Sequence, residues 1–233
     1  GKCNKKNNKN FRTRCCAYFK YDNISVLIDT SPDLKNQILI NKIKDIDAVM
    51  YTHEHADQSS GIFELRPFFW RNGKKINIYG SKKTIKALNI KYDFCFVPKQ
   101  GYKPILKDNI IRENFKIKKN NRHIKIKSFE VQHGQIKATA YVFNKVAYIS
   151  DCNFIADNQL KFLQNLNYLV IDCLRVNKHP GHFNIEDALL LTKKIRPKKT
   201  ILTNLHVDLD YKKLKKMLPK NIIPAFDGLT FNF

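Results

Sequence analysis

The sequence predicts a layered α/β fold. Apolar segments rich in β-branched residues alternate along the chain with stretches of helical spacing. One helix is marked by its own cap, Asn184 ahead of Ile185-Glu186-Asp187. No repeat, Ser/Gly linker or low-complexity tract interrupts the 233 residues, so a single domain over residues 1–233 is expected.

In chain order, strands are expected at residues 24–29, 48–52, 76–79, 123–132, 139–143, 146–150, 168–172 and 200–203. Each is a short run dominated by Ile, Val, Tyr, Thr or Ala, the pattern of a pleated, covered surface. Helices are expected at 34–42, 62–69, 82–88, 158–163, 185–194 and 211–217, where apolar residues recur at three- and four-residue spacing. The hairpins over residues 123–150 add antiparallel pairing to the alternation. Residues 91–121, with Pro98, Gly101 and Pro104, are the least regular stretch and are expected to cover a site.

Composition narrows the class. Forty-three Lys and Arg against 20 Asp and Glu leave a formal charge of +23, while 43% hydrophobic residues provide ample material for a core. Lys, Asn and Ile dominate throughout, so the charge reads as a compositional background that suits a phosphate-bearing substrate rather than as a nucleic-acid motif. No apolar run approaches the roughly 20 residues that cross a bilayer, and the polar GKCNKKNNKN start is not a signal peptide. Six cysteines without a CxxC spacing fit reduced thiols and a cytoplasmic location, with no membrane partner.

The chemistry concentrates in Thr52-His53-Glu54-His55-Ala56-Asp57-Gln58, directly after an apolar strand. Two imidazoles and a carboxylate in a turn of fixed geometry can converge on a zinc, manganese or iron ion. Further ligand types stand at other strand ends: His133, Asp151, Asn204 and His206. A sheet whose strand ends carry His and Asp is hard to explain by packing, because each such group needs a partner when buried. Together they read as a two-metal site.

The order His-x-His-x-Asp, a lone His, Ser-Asp, then a His after a late strand resembles the metallo-β-lactamase superfamily. The nearest resemblance is to its phosphoribosyl 1,2-cyclic phosphate phosphodiesterase branch. The segments that carry it are Arg12-Thr-Arg14, Val26-Leu-Ile-Asp-Thr-Ser-Pro-Asp33, Thr52–Asp57 with Gly61 and Leu65-Arg66, Pro180-Gly-His182, Leu202-Thr203 with Asp208-Leu-Asp-Tyr211, and Pro224-Ala-Phe-Asp-Gly228. The resemblance implies an αβ/βα four-layer sandwich, lacking in this chain the family's first strand and Gly-rich loop, as a truncation before Gly1 would produce. It also implies two divalent ions, zinc first and manganese as the alternative. His53, His55 and His133 would hold one ion; Asp57, Gln58 and His206 would hold the second, with Asp151 bridging. Two departures fall on that second ion, Gln58 and Asn204, where the family has His. His206, two residues beyond Asn204, is the expected replacement ligand. Of the branch's cysteine cluster only Cys3 has a counterpart, so a structural zinc is not expected.

The activity implied is hydrolysis of a small cyclic or diester phosphate by a hydroxide bridging two metals, with Asp57 and His182 as catalytic residues and His182 protonating the leaving alkoxide. Asp29 and Asp33 would brace the site or cap the helix at 34; Arg66 would pair with a carboxylate or meet a substrate phosphate; His123 and His179 would be surface residues. The competing readings are a ribonuclease Z-like nuclease and a degenerate, non-catalytic member that binds an anion or nucleic acid. Thioester hydrolysis is also open to this fold. A homodimer is compatible with the sequence.

Overall fold

The computed structural model describes residues 1, 3–99 and 101–233. The chain forms two compact units, Arg14–Ile126 and the remainder, Gly1–Thr13 with Lys127–Phe233.

The Arg14–Ile126 unit is built on a five-stranded sheet. Strands β1 (Ala17–Tyr21) and β2 (Ile24–Ile28) form an antiparallel hairpin; α1 (Leu34–Ile40) leads to β3 (Ala48–Met50), which lies parallel to β2 with Val26 opposite Ala48. The turn after β3 opens the short helix α2 (Ala56–Ser59), followed by a 3-10 turn at Ile62–Leu65 and α3 (Arg66–Asn72). Strand β4 (Ile76–Gly80), helix α4 (Lys82–Lys91) and strand β5 (Leu106–Ile110) complete the sheet, in the order β1-β2-β3-β4-β5. Leu27, Val49, Tyr51, Ile62, Leu65, Phe68, Ile78, Ile85 and Leu88 form one buried cluster, so the helices cover the sheet through their apolar stripes. Strand β6 (Asn114–Lys119) pairs with the long β7 (Arg122–His133).

Two expectations change here. The helix expected at 62–69 is a 3-10 turn followed by a new helix, because Pro67 lacks the N–H that would continue the earlier turn and is tolerated only in a first turn. Gly73 ends α3 in the left-handed region at φ 63°. The irregular stretch 91–121 contains two strands, β5 and β6, whose Lys, Asn and Asp content masks them.

In the second unit, β7, β8 (Ile136–Phe143) and β9 (Val146–Ile149) run antiparallel, then β9, β10 (Tyr168–Asp172), β11 (Lys199–Thr203) and β12 (Ile222–Pro224) run parallel. Helix α5 (Ile185–Ile195) links β10 to β11 and α6 (Tyr211–Met217) links β11 to β12. The stretch Asp157–Leu163 is a 3-10 helix. The core is Phe129, Val131, Ala140, Ile149, Leu169, Ile171 and Leu202, packed against Ala188 and Leu191 of α5 and Leu214 of α6. The Asn184 cap is present as a full capping box: Asp187 N donates to Asn184 Oδ1 at 2.8 Å and Asn184 N to Asp187 Oδ2 at 3.3 Å.

Parallel strands end on the same edge, which is where such sheets carry their chemistry. Asp151 follows β9, Asp172 ends β10 and Asn204 follows β11. In the first unit Asp29 follows β2. Asp29, Asp151 and Asn204 all have left-handed backbone, at φ 65°, 56° and 59°. Asp and Asn enter that region more readily than bulky residues, and such conformations cluster where function demands them.

Candidate metal and acid-base residues

In the Arg14–Ile126 unit, Asp29 is fully buried and accepts two hydrogen bonds from Thr52, one from its N–H to Oδ1 and one from its hydroxyl to Oδ2, both 2.8 Å. The Thr52 hydroxyl spends its one proton on that carboxylate, so towards His53 it can only accept. The His53 Nδ1 at 3.0 Å is therefore the protonated nitrogen, and Nε2 carries the lone pair. That Nε2 faces His55 Nδ1 at 3.0 Å, with the rings edge to face. Adjacent nitrogens on one tetrahedral zinc, each bonded at about 2.05 Å, stand about 3.3 Å apart, so the pair fits a shared ion. Asp57, half-buried, stands in the first turn of α2; the Gln58 side chain is buried and directs Nε2 at Asp57 Oδ2, 3.5 Å away.

The loop that presents these groups is tied to the strand ends. Thr30 N donates to Gln58 O at 2.8 Å and Gly61 N to Thr30 O at 2.9 Å. Gly61 has to be glycine: a Cβ there would lie 2.0 Å from the Ser31 carbonyl oxygen. Asp29, expected to brace the site or cap the helix at 34, holds Thr52 ahead of His53. Asp33 accepts from Arg14 N at 2.8 Å and makes no side-chain cap bond to α1. Arg66 lies over the rings of Phe63 and Trp70.

In the second unit, the two-residue turn after β7 fixes His133 opposite Ile136 at the end of the hairpin. His133 Nδ1 donates to the Gly181 carbonyl at 2.6 Å, which again leaves the lone pair on Nε2, 3.7 Å from Asp151 Oδ2. Asp172, fully buried, accepts from Cys152 N at 2.8 Å and from His182 Nδ1 at 2.7 Å. Asp151, Asp172 and His182 offer ligand atoms within 4.8 Å of one another. Asn204 Nδ2 stands 3.2 Å from both Asp151 Oδ1 and Asp172 Oδ1. His206 is elsewhere: its ring is half exposed and its Nδ1 meets Asp208 Oδ2 at 3.0 Å. Burial and the carboxylates of Asp172 and Asp151 push the Cys152 thiol up, and burial with Asp172 and Asp187 raises Cys173 to about 12. Both shifts favour the neutral thiol. His179, packed against the His182 ring, has its pKa lowered by burial and by His182.

Asp172 is marked in the sequence only as the end of a strand. The available signal was its position: Tyr-Leu-Val-Ile-Asp ends an apolar strand on a carboxylate, as β2 and β9 do with Asp29 and Asp151.

Two sheets, helices between parallel strands, and imidazoles whose Nδ1 protons are held by oxygen acceptors define a metallohydrolase fold. The chain belongs to the metallo-β-lactamase superfamily: the model of the beta-lactamase superfamily domain matches residues 25–204. Among solved structures, a diphosphatase of the PhnP family superposes with a TM-score of 0.84 at 31% identity, covering 93% of this chain and 82% of that one. An octanoyltransferase of Porphyromonas gingivalis is 28% identical over 209 residues, 88% of this chain but only 41% of that protein, so the chain spans less than half of that relative. The exodeoxyribonuclease YycJ of Bacillus anthracis is 23% identical over 210 residues, covering 78% of this chain and 72% of that protein. Among the described residues, no helix is long and apolar enough to cross a membrane.

Proposed function

We propose that this chain is a metal-dependent phosphodiesterase acting on a small cyclic or diester phosphate. The observation that carries the reading is the fixed tautomer of His53 and His133. Each Nδ1 proton is engaged by an oxygen acceptor, Thr52 backed by Asp29 in one case and Gly181 in the other. That pattern orients and strengthens an imidazole as a metal ligand through Nε2. By the family resemblance, His53, His55, His133 and Asp151 would hold the ion. When bound, a divalent ion acidifies water and polarises a phosphoryl oxygen.

His182 has a separate task. With Nδ1–H donating to the buried Asp172, its exchangeable site is Nε2, and the carboxylate stabilises the imidazolium form. Protonated there, His182 gives its Nε2 proton to the departing alkoxide, a role typically contributing about 10²- to 10⁴-fold. Asp57, partly exposed at the start of α2, is the carboxylate that can accept a proton from the attacking water. Similarity to a diphosphatase supports a phosphate substrate. The exodeoxyribonuclease relative and the +23 charge favour a second reading, attack on nucleic-acid diesters.

A panel of bis(p-nitrophenyl) phosphate, cyclic nucleotides, and single- and double-stranded DNA and RNA, run with zinc, manganese or chelator, separates the two. Turnover of small diesters that chelator abolishes and His55→Ala eliminates is expected. Full activity of His55→Ala, or no diester cleaved with any metal, refutes the proposal.

A further inference from the structure

The ligands for the first ion fit it, whereas those for the second do not. Where the family resemblance implies imidazoles, this chain has two amides, and both turn nitrogen towards the neighbouring carboxylate. Asn204 Nδ2 is 3.2 Å from Asp151 Oδ1 and 3.2 Å from Asp172 Oδ1. Carboxylate oxygens accept, so the amide atom facing both must be the donor NH₂. His182 Nδ1, 3.3 Å from Asn204 Nδ2, gives its proton to Asp172 and has no lone pair to accept from the amide, so the two amide hydrogens go to the two carboxylates. Gln58, with its side chain buried, likewise directs Nε2 at Asp57 Oδ2.

An amide nitrogen has no lone pair to give a metal; only the oxygen coordinates, and turning the Asn204 nitrogen towards Asp151 and Asp172 turns that oxygen away from them. His206, the expected replacement, is occupied with Asp208 and half exposed. Two of the second ion's expected ligands, Gln58 and His206, are thus engaged otherwise, and Asn204 stands as a donor where the family has an imidazole. Meanwhile the Asn204 amide supplies Asp151 and Asp172 with the electropositive partner that close carboxylates need, and the Gln58 amide faces Asp57.

We propose that this chain binds one divalent ion rather than two, with the Gln58 and Asn204 amide N–H groups serving the carboxylates in place of a second cation. The proposal rests on the metal-dependent reading above and specifies its stoichiometry. Catalysis then draws on a single ion at the histidine ligands, and the leaving group depends on His182 rather than on a second metal.

The test counts zinc. The full chain is equilibrated with excess zinc chloride, dialysed against zinc-free buffer and measured by elemental analysis, with calorimetric titration of the apo-protein alongside. One equivalent per chain is expected, and the double variant Gln58→His/Asn204→His is expected to bind a second. Titration with cobalt(II) should saturate its visible absorption at one equivalent in the wild type. Two tight equivalents in the wild type overturn the stoichiometry while leaving metal-dependent hydrolysis intact. No bound zinc overturns both. A double variant with wild-type circular dichroism that still binds one equivalent overturns the role given to the amides. The wild-type count decides the stoichiometry even if the double variant does not fold.

Discussion

Replacing Thr52 with valine removes one hydroxyl from the buried chain Asp29–Thr52–His53 and leaves the volume nearly unchanged. Two hydrogen bonds go: the charge-assisted bond to Asp29 Oδ2 at 2.8 Å and the acceptor for His53 Nδ1 at 3.0 Å. A bond to a charged group is worth about 1.5–3 kcal/mol, and a buried donor left without its acceptor costs about 1–3 kcal/mol. The Thr52 N–H still donates to Asp29 Oδ1 at 2.8 Å, so the loss falls towards the low end, about 3 kcal/mol in all. The larger signature is in metal binding. Without the hydroxyl the His53 ring is free to adopt either tautomer or to turn, and loss of such an orienting partner typically lowers affinity about 10- to 100-fold. Urea denaturation reads the first effect and zinc competition with a chromophoric chelator the second. Thr52→Ser keeps the oxygen and should restore both. A folded Thr52→Val protein that binds zinc within about threefold of wild type would refute the assignment of Thr52 as the group that sets His53.

Three further outcomes follow from the packing and the caps. Gly61→Ala drives a methyl into the Ser31 carbonyl 2.0 Å away and should destabilise the protein by about 1–3 kcal/mol, seen as a lowered urea midpoint; an unchanged midpoint contradicts the close approach. Asn184→Ala removes half of the capping box on α5 and should cost about 0.5–2 kcal/mol in the same assay, with Asn184→Asp retaining most of the stability. Asp210 is held near pKa 2 by donors from Asn4 N, Lys213 N and Asn10 Nδ2. Its folded pKa lies below the unfolded value of about 3.9, so its contribution is complete above about pH 4 and disappears as the pH falls towards 2. The stability difference between wild type and Asp210→Asn should shrink over that window, and a constant difference from pH 6 to pH 2 would exclude the mechanism.

Most of the fold was legible in the sequence because the central strands are covered on both faces. β2, β3 and β9 are buried at every residue, which writes continuous apolar runs into the chain. The four strands that the sequence did not reveal, β1, β5, β6 and β12, all lie at sheet edges. An edge strand is half solvated and carries Lys, Asn or Pro, so its periodicity fades; Leu106–Ile110 shows one buried residue in five.

The sequence by itself determined the superfamily, through His53-x-His55-x-Asp57 at a strand end with His133, Ser150-Asp151 and His206 following in order. It also determined the identity of the departures, Gln58 and Asn204. Only the tertiary structure decided what those residues do, because residue type says which atoms are present and not which way they face. A histidine's tautomer is set by the group behind it, and that group, Asp29 through Thr52 or the Gly181 carbonyl, is distant in sequence. An asparagine offers both a donor and an acceptor; contact with Asp151 and the unforeseen Asp172 makes Asn204 a donor. His206, which strand periodicity would have aligned with Asn204, leaves that alignment because β11 ends at Thr203 and the left-handed backbone at Asn204 turns the chain before His206.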